Sequence, residues 1–219
     1  QFRESARLKL PRPAGEIAAA DFNRDGHLDI AVADHDTFAI VIVHGNGRGA
    51  LTLGPTFRAK PTGQPHIHGL AAGDLNGDGH PDLVLGSGAE HELIPLLNDG
   101  QGRFTPQPSA RARSPWHPFL ADFNHDGRLD LAAAAMDGKT IATLLGNGRG
   151  GFADAVRHEV FPRPFLAKAA DFNNDGHLDI YGVHDDHGRL TILQGNGQGA
   201  FTQAPGSPFD IGAEAYGAH

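Results

Sequence analysis

The chain has 219 residues, 39% of them hydrophobic, with 30 Gly, 15 Pro and no Cys. That length and that share of turn formers suit one large β domain, while the lack of Cys excludes disulfides, thiol catalysis and Cys-ligated zinc. A net charge of −8 without a basic cluster argues against nucleic acid as a partner, and no apolar run reaches the length of a membrane span.

The first recognisable element is a nine-residue loop, Asp21-Phe-Asn-Arg-Asp-Gly-His-Leu-Asp29. A short apolar run follows at 28–32, then a second at 39–43 that ends on Gly45-Asn-Gly-Arg-Gly49. The same order returns three times. Loops at Asp74 to Asp82, Asp122 to Asp130 and Asp171 to Asp179 precede runs at 83–85, 129–133 and 178–181. Second runs at 93–97, 141–145 and 190–193 end on Gly-rich turns at 98–102, 146–150 and 195–199. Both motifs advance in steps of 53, 48 and 49 residues, so one structural unit is duplicated. Runs of four to six residues bounded by Gly, Asn and Asp read as strands, with Asn-Gly or Asp-Gly as hairpin signals. A third strand follows each turn (152–159 is an example) and a fourth leads into the next loop (166–170). Four strands per unit of about 50 residues is the signature of a β-propeller blade. The fold expected is all-β, four blades in this chain, as part of a larger, seven-bladed propeller. The repeats fall at 1–50, 51–103, 104–151 and 152–200, with 201–219 starting a fifth.

The loops carry an all-oxygen ligand pattern. Calcium takes six to eight oxygens at about 2.3–2.6 Å. The side chains at positions 1, 3, 5 and 9 are Asp21, Asn23, Asp25 and Asp29; Asp74, Asn76, Asp78 and Asp82; Asp122, Asn124, Asp126 and Asp130; Asp171, Asn173, Asp175 and Asp179. Position 7 is His27, His80, Arg128 or His177, with no shared side-chain chemistry, as expected where only the backbone carbonyl coordinates. Position 6 is Gly in every copy, where the chain must turn with positive φ. Solvated Asx-turns without metal are the alternative, but three carboxylates in one small loop repel one another without a cation. About four Ca²⁺, one per repeat, are expected, and their charge would bring the net −8 close to zero. Apolar residues at positions 2 and 8 are expected to tie each loop to the core.

The strings Asp-Phe-Asn-x-Asp-Gly-x-x-Asp and Gly-Asn-Gly-x-Gly-x-Phe resemble the FG-GAP/VCBS repeat family, found in integrin α-subunit heads and many secreted bacterial proteins. The resemblance covers essentially the whole chain. It implies a propeller, often seven-bladed, with calcium in hairpin loops that brace each blade. Two departures are present: Leu51 stands where Phe is expected, and Asn98-Asp99 replaces Gly-Asn. Function is not fixed by the fold.

The 14 His fall into several settings. His66 and His68 are two apart just before an inner strand, so their side chains share a face. Trp116-His117 takes the matching place in the next repeat, and His219 the region after that. Inner strands line a propeller's central channel, so His66, His68, His117 and His219 are candidates for a transition-metal site, against an ordinary polar channel lining. The turns between second and third strands are acidic, with Asp34, Asp36, Glu90, Glu92, Asp137, Asp185 and Asp186 accompanied by His35, His91, His184 and His187. They read as solvated turns or as a ligand-binding rim.

The leading function is a non-catalytic, calcium-stabilised scaffold that binds an extracellular protein or glycan. It would be secreted, periplasmic or on the cell surface, since weak sites fill only in millimolar calcium. The rivals are a polysaccharide lyase, with Lys168, Arg163 and His66 near the inner strands, and a His-bound transition-metal protein. Phe2 stands 19 residues before Asp21, and Phe201 plus 19 lands one residue past the last. A fragment of a larger ring, or closure and association through open propeller edges, is therefore expected.

Overall fold

The computed structural model describes residues 7–184 and 188–212. Expectations placed on Phe2, Asp185, Asp186, His187, His219 and the part of the fifth repeat at 213–219 lie outside them. The described residues are all-β, in four antiparallel sheets. The first holds β1 (Glu16–Ala20), β2 (Asp29–Ala33), β3 (Ala39–Gly45) and β4 (Leu51–Arg58). The second holds β5 (Ile67–Gly73), β6 (Asp82–Ser87) and β7 (Glu92–Asn98), with β8 (Phe104–Pro106) and β9 (Ala110–Arg111) both pairing β7 as a broken outer strand. The third holds β10 (Pro115–Ala121), β11 (Asp130–Ala135), β12 (Thr140–Leu144) and β13 (Val156–Glu159). The fourth holds β14 (Pro164–Ala170), β15 (Asp179–His184) and β16 (Arg189–Gly195), edged by β17 (Phe201–Gln203) and β18 (Phe209–Asp210). Repeat and sheet are out of step by one strand, because each outer strand follows the Gly-rich turn that closes a repeat. Residues 201–203 and 209–210 therefore edge the fourth sheet.

Successive sheets pack face to face, and strand alternation assigns each side chain to one neighbour. On β6, Leu83 and Leu85 join Phe22, Ile40 and Ile42 between the first two sheets. Val84, pointing the other way, joins Leu131 and Leu144 between the second and third. Ala132 and Ala134 turn from there toward Ile180 and Leu193 in the fourth. Strands with a sheet on both sides are buried throughout: all six residues of β6 and of β11 are. In β15 the pattern changes, and Tyr181 and Val183, facing away from the third sheet, are only partly buried. On the outer side of the first sheet, Leu8 and Leu10 cover Val41 and Val43.

The inner strands β1, β5, β10 and β14 lie side by side in that order. Their register is interrupted at Ile67/Leu70, Trp116/Phe119 and Pro164/Leu166. Such bulges re-aim side chains at the rim of a sheet. Gly69 shows the closeness required: its φ is +148°, and a Cβ there would lie 2.2 Å from Pro118 Cδ. This topology gives the molecule two faces. The Asp loops and Gly-rich turns share one; the β2–β3 type turns and the crossovers between sheets share the other.

Candidate metal loops and the opposite rim

Each Asp loop is wound around its own backbone donors. In the first, Asp21 Oδ1 accepts from Asp25 N–H at 3.1 Å and its Oδ2 from Gly26 N–H at 2.8 Å. Asn23 Oδ1 also accepts from Asp25 N–H, and Asp25 Oδ1 from His27 N–H. The other three loops repeat the pattern on Asp74, Asp122 and Asp171. The sixth-position glycines have φ of +83°, +80°, +78° and +85°, with nothing within 4 Å of where a Cβ would sit. Side-chain oxygens at positions 1, 3 and 5 are thereby held in a small arc. The His27 N–H is the main influence holding the Asp25 carboxyl below its usual range, and the His177 N–H does the same for Asp175.

The ninth aspartate does something the ligand pattern does not announce. Asp29, Asp82, Asp130 and Asp179 are fully buried. One oxygen of each accepts the N–H of loop position 2, from Phe22, Leu75, Phe123 or Phe172, at 2.8–3.1 Å. The other accepts the N–H that opens the Gly-rich turn, from Gly45, Asn98, Gly146 or Gly195, at 2.8–3.0 Å. This carboxylate is the physical link that keeps the two motifs in phase. Burial pushes Asp82 up to about 6, reinforced by Asp78 and Asp74, and burial likewise raises Asp130.

Position 7 also has a side-chain task. A Cβ on the turn glycines Gly47, Gly100, Gly148 and Gly197 would lie 2.3–2.8 Å from the side chains of His27, His80, Arg128 and His177. Those side chains lie over the turn, which only glycine leaves room for. The two departures from the repeat acquire reasons as well. Asn98 Nδ2 donates to Pro81 O and, across the blade boundary, to Phe22 O. Phe104 packs on the preceding loop's Phe22 with centroids 5.7 Å apart, and Phe201 on Phe123 at 5.3 Å. Leu51, with no preceding loop among the described residues, instead covers Val41 and Val43. Core attachment at position 2 follows this rule: Phe22, Leu75 and Phe123 are buried, whereas Phe172 is 48% exposed. At position 8, Leu129 and Leu178 pack into the clusters toward the preceding sheets, while Leu28 is 70% exposed.

The donor set fits a hard cation. Every side chain at positions 1, 3, 5 and 9 offers oxygen. Basic partners are sparse: His44 Nδ1 lies 3.3 Å from Asp29, and Arg128 Nη1 lies 3.8 Å from Asp126. Among the described residues, no ion pair reaches the aspartates of the second and fourth loops.

On the opposite face the acidic turns of the first three sheets are ion-paired. Lys60 Nζ bridges Glu90 at 3.1 Å and Glu92 at 2.8 Å; Arg113 lies 3.3 Å from Asp137, and Arg12 lies 3.9 Å from Asp34. Beside them an open cleft of about 860 Å³ is lined by Arg113, Lys139, Arg157 and Arg163 with Asp137 and Glu159. Scattered over 50 residues of sequence, these cations carry no local motif. Of the lyase candidates, Arg163 lines this cleft, whereas Lys168 Nζ lies 5.4 Å from the Phe119 ring centroid, its pKa lowered by burial.

His66 and His68 do come together, Nε2 to Nε2 at 3.1 Å. The third ring beside them is His35, from a turn of the first sheet. His117 is not one of the trio; its ring meets Phe165 at 5.2 Å, and Trp116 stacks on His68 at 3.7 Å. Burial, then the like charges of His66, His35 and His117, push His68 down to about 4.

Sheets packed in series, one acidic loop per sheet and a rim of turns behind them define a β-propeller built of loop-bearing repeats. The chain belongs to the FG-GAP-like repeat family, whose model matches residues 21–85, 74–133, 122–182 and 171–219. No curated protein matches the sequence. Among solved structures it is similar to an Agrocybe aegerita lectin described as recognising non-reducing terminal N-acetylglucosamine. That match has 24% identity and a TM-score of 0.59, over 84% of this chain and 49% of the lectin chain. A Lactobacillus plantarum protein matches with 20% identity and a TM-score of 0.64, over 88% of this chain and 56% of that one. This chain thus spans about half the length of the structures it matches. The likeness is one of fold.

Proposed function

We propose that this chain is a calcium-braced, non-catalytic binding scaffold that works outside the cytoplasm and presents its rim to a glycan bearing acidic groups. The observation that carries the calcium reading is the fourfold loop, with its arc of Asp and Asn oxygens and too few basic side chains to balance them. Calcium would be held by side chains at positions 1, 3 and 5, the backbone carbonyl at position 7 and the remaining lone pairs of the ninth aspartate. Its charge would remove the repulsion within each loop and so stabilise the blade. Millimolar calcium outside cells fills even weak sites of this kind. The glycan reading draws support from the cleft carrying Arg113, Lys139, Arg157 and Arg163, suited to carboxylate or sulfate groups. The lectin among the similar folds supports glycan binding in general, its described ligand, N-acetylglucosamine, being a neutral sugar.

The test has two arms. Chelation should lower the melting temperature, and added Ca²⁺ should restore it; identical melts would remove calcium from the account. On an array of uronic and sulfated oligosaccharides the chain should bind, and the double variant Lys139→Glu, Arg157→Glu should not. Binding to neutral sugars alone, or to none, would overturn the acidic-glycan reading. Unsaturated products released from a uronic polymer would replace the scaffold with a lyase.

A further inference from the structure

His35, His66 and His68 come from two different sheets. His35 lies in the turn after β2, His66 ends the crossover from the first sheet, and His68 sits on β5. One ring nitrogen of each lies within 4.8 Å of the other two. The rings are close to mutually perpendicular, at 74–87°, with His35 4.9 Å from each partner and the other two 4.2 Å apart. A hydrogen-bonded imidazole pair needs two rings. Three rings turned edge to face around one point make a tripod of donors.

We propose that His35, His66 and His68 bind one divalent transition-metal ion of the zinc, copper and nickel group. Two nitrogens bonded to a tetrahedral metal at about 2.0–2.1 Å stand about 3.3 Å apart. The 3.1 Å between Nε2 of His66 and Nε2 of His68 is already close to that chelating edge. His35 is oriented by Asp36, whose Oδ1 lies 2.7 Å from Nδ1. A carboxylate on one ring nitrogen fixes the tautomer and leaves Nε2 to face a metal, the usual support for a ligating histidine. His68 is clamped from behind by the parallel indole of Trp116, at 3.7 Å and 17°. Three imidazoles leave a fourth position open to water or to a donor from a bound ligand. Nitrogen donors suit these metals and not calcium, so this site and the Asp loops select different ions on opposite faces.

The experiment is a calorimetric titration of the chelator-treated full chain with Zn²⁺, in millimolar Ca²⁺, paired with elemental analysis and the absorption spectrum of a Co²⁺ substitute. One Zn²⁺ per chain is expected, with the intense visible bands of tetrahedral Co²⁺. His35→Ala and His66→Ala should each weaken binding by more than about a hundredfold, and Asp36→Asn by about 10–100-fold. His66 is exposed and His35 partly so, which lets these variants fold, as circular dichroism would verify. His125→Ala removes one ring of a second close pair, Nε2 of His125 being 3.1 Å from Nδ1 of His177 on the loop face, and should leave zinc binding unchanged. Absence of zinc binding, full affinity in His35→Ala, or loss in His125→Ala would each overturn the assignment.

Discussion

Replacing Asp130 by Ala separates the two tasks that fall on the ninth loop aspartate. Its carboxylate is fully buried and accepts from Phe123 N–H at 2.9 Å and from Gly146 N–H at 2.8 Å. Truncation strands both donors, each at a cost of about 1–3 kcal/mol, so about 2–6 kcal/mol in all. Burial already raises the pKa of this carboxyl, so its charge is held against a desolvation penalty, and the lower half of that range is expected. Against a total stability of about 5–15 kcal/mol, such a loss is easily measured. Urea unfolding should be followed in the presence of a strong chelator, where no bound metal contributes. Asp126→Ala supplies the contrast. Its carboxylate serves the exposed Arg128 N–H, and in chelator the variant should stay within about 0.5 kcal/mol of the parent. With calcium at about a hundred times its dissociation constant, Asp126→Ala should instead forfeit about 2.7 kcal/mol, the increment one filled site confers. If Asp130→Ala unfolds like the parent in chelator and differs only when calcium is added, the bridge contributes nothing, and the residue is a ligand alone.

A Cβ on Gly146 would lie 2.1 Å from the backbone oxygen of Leu129, so Gly146→Ala should cost about 1–3 kcal/mol or more, and an unchanged thermal melt would refute the tight-turn account. Phe172 on the fourth sheet is exposed where Phe22 and Phe123 are covered by Phe104 and Phe201, and Leu28 on the first is exposed where Leu129 and Leu178 pack toward a preceding sheet. Sedimentation should show concentration-dependent association of this chain, abolished by Phe172→Lys; identical profiles would show that these faces do not meet.

The blade plan was legible because its signals are local and repeated. Loop, apolar run, apolar run and Gly-rich turn recur in order, and the two middle strands of each sheet fall on those runs; the outer strand expected over 152–159 is regular only over Val156–Glu159. The bridge from the ninth aspartate was also recoverable, since 29 and 45, 82 and 98, 130 and 146, and 179 and 195 are all sixteen apart. A constant interval between two motifs is the trace of a contact between them. The His35 contribution left no such trace. A turn of one sheet meets the crossover into the next because of how blades stack, and nothing at 35 names 66 or 68. The cleft cations are hidden for the same reason, gathered from the approach to β10, the β11–β12 turn, β13 and the approach to β14.

Phe22 and Phe172 mark the boundary of what a repeat can tell. Both occupy loop position 2 in nearly the same string, and both N–H groups donate to the ninth aspartate. Phe22 is sealed by Phe104 of the following blade, while the ring that meets Phe172 among the described residues is Tyr181 of its own sheet, at 5.7 Å. One is fully buried and the other half exposed. A motif fixes the conformation of the residues that make it, through hydrogen bonds a few residues long. Burial belongs to whatever packs against them, and that is decided by the neighbouring blade. A phenylalanine in this loop therefore contributes its full hydrophobic stabilisation of about 1.5–3 kcal/mol only where a blade follows it. The motif at position 2 is thus half of an interface, completed or left open by the blade that follows.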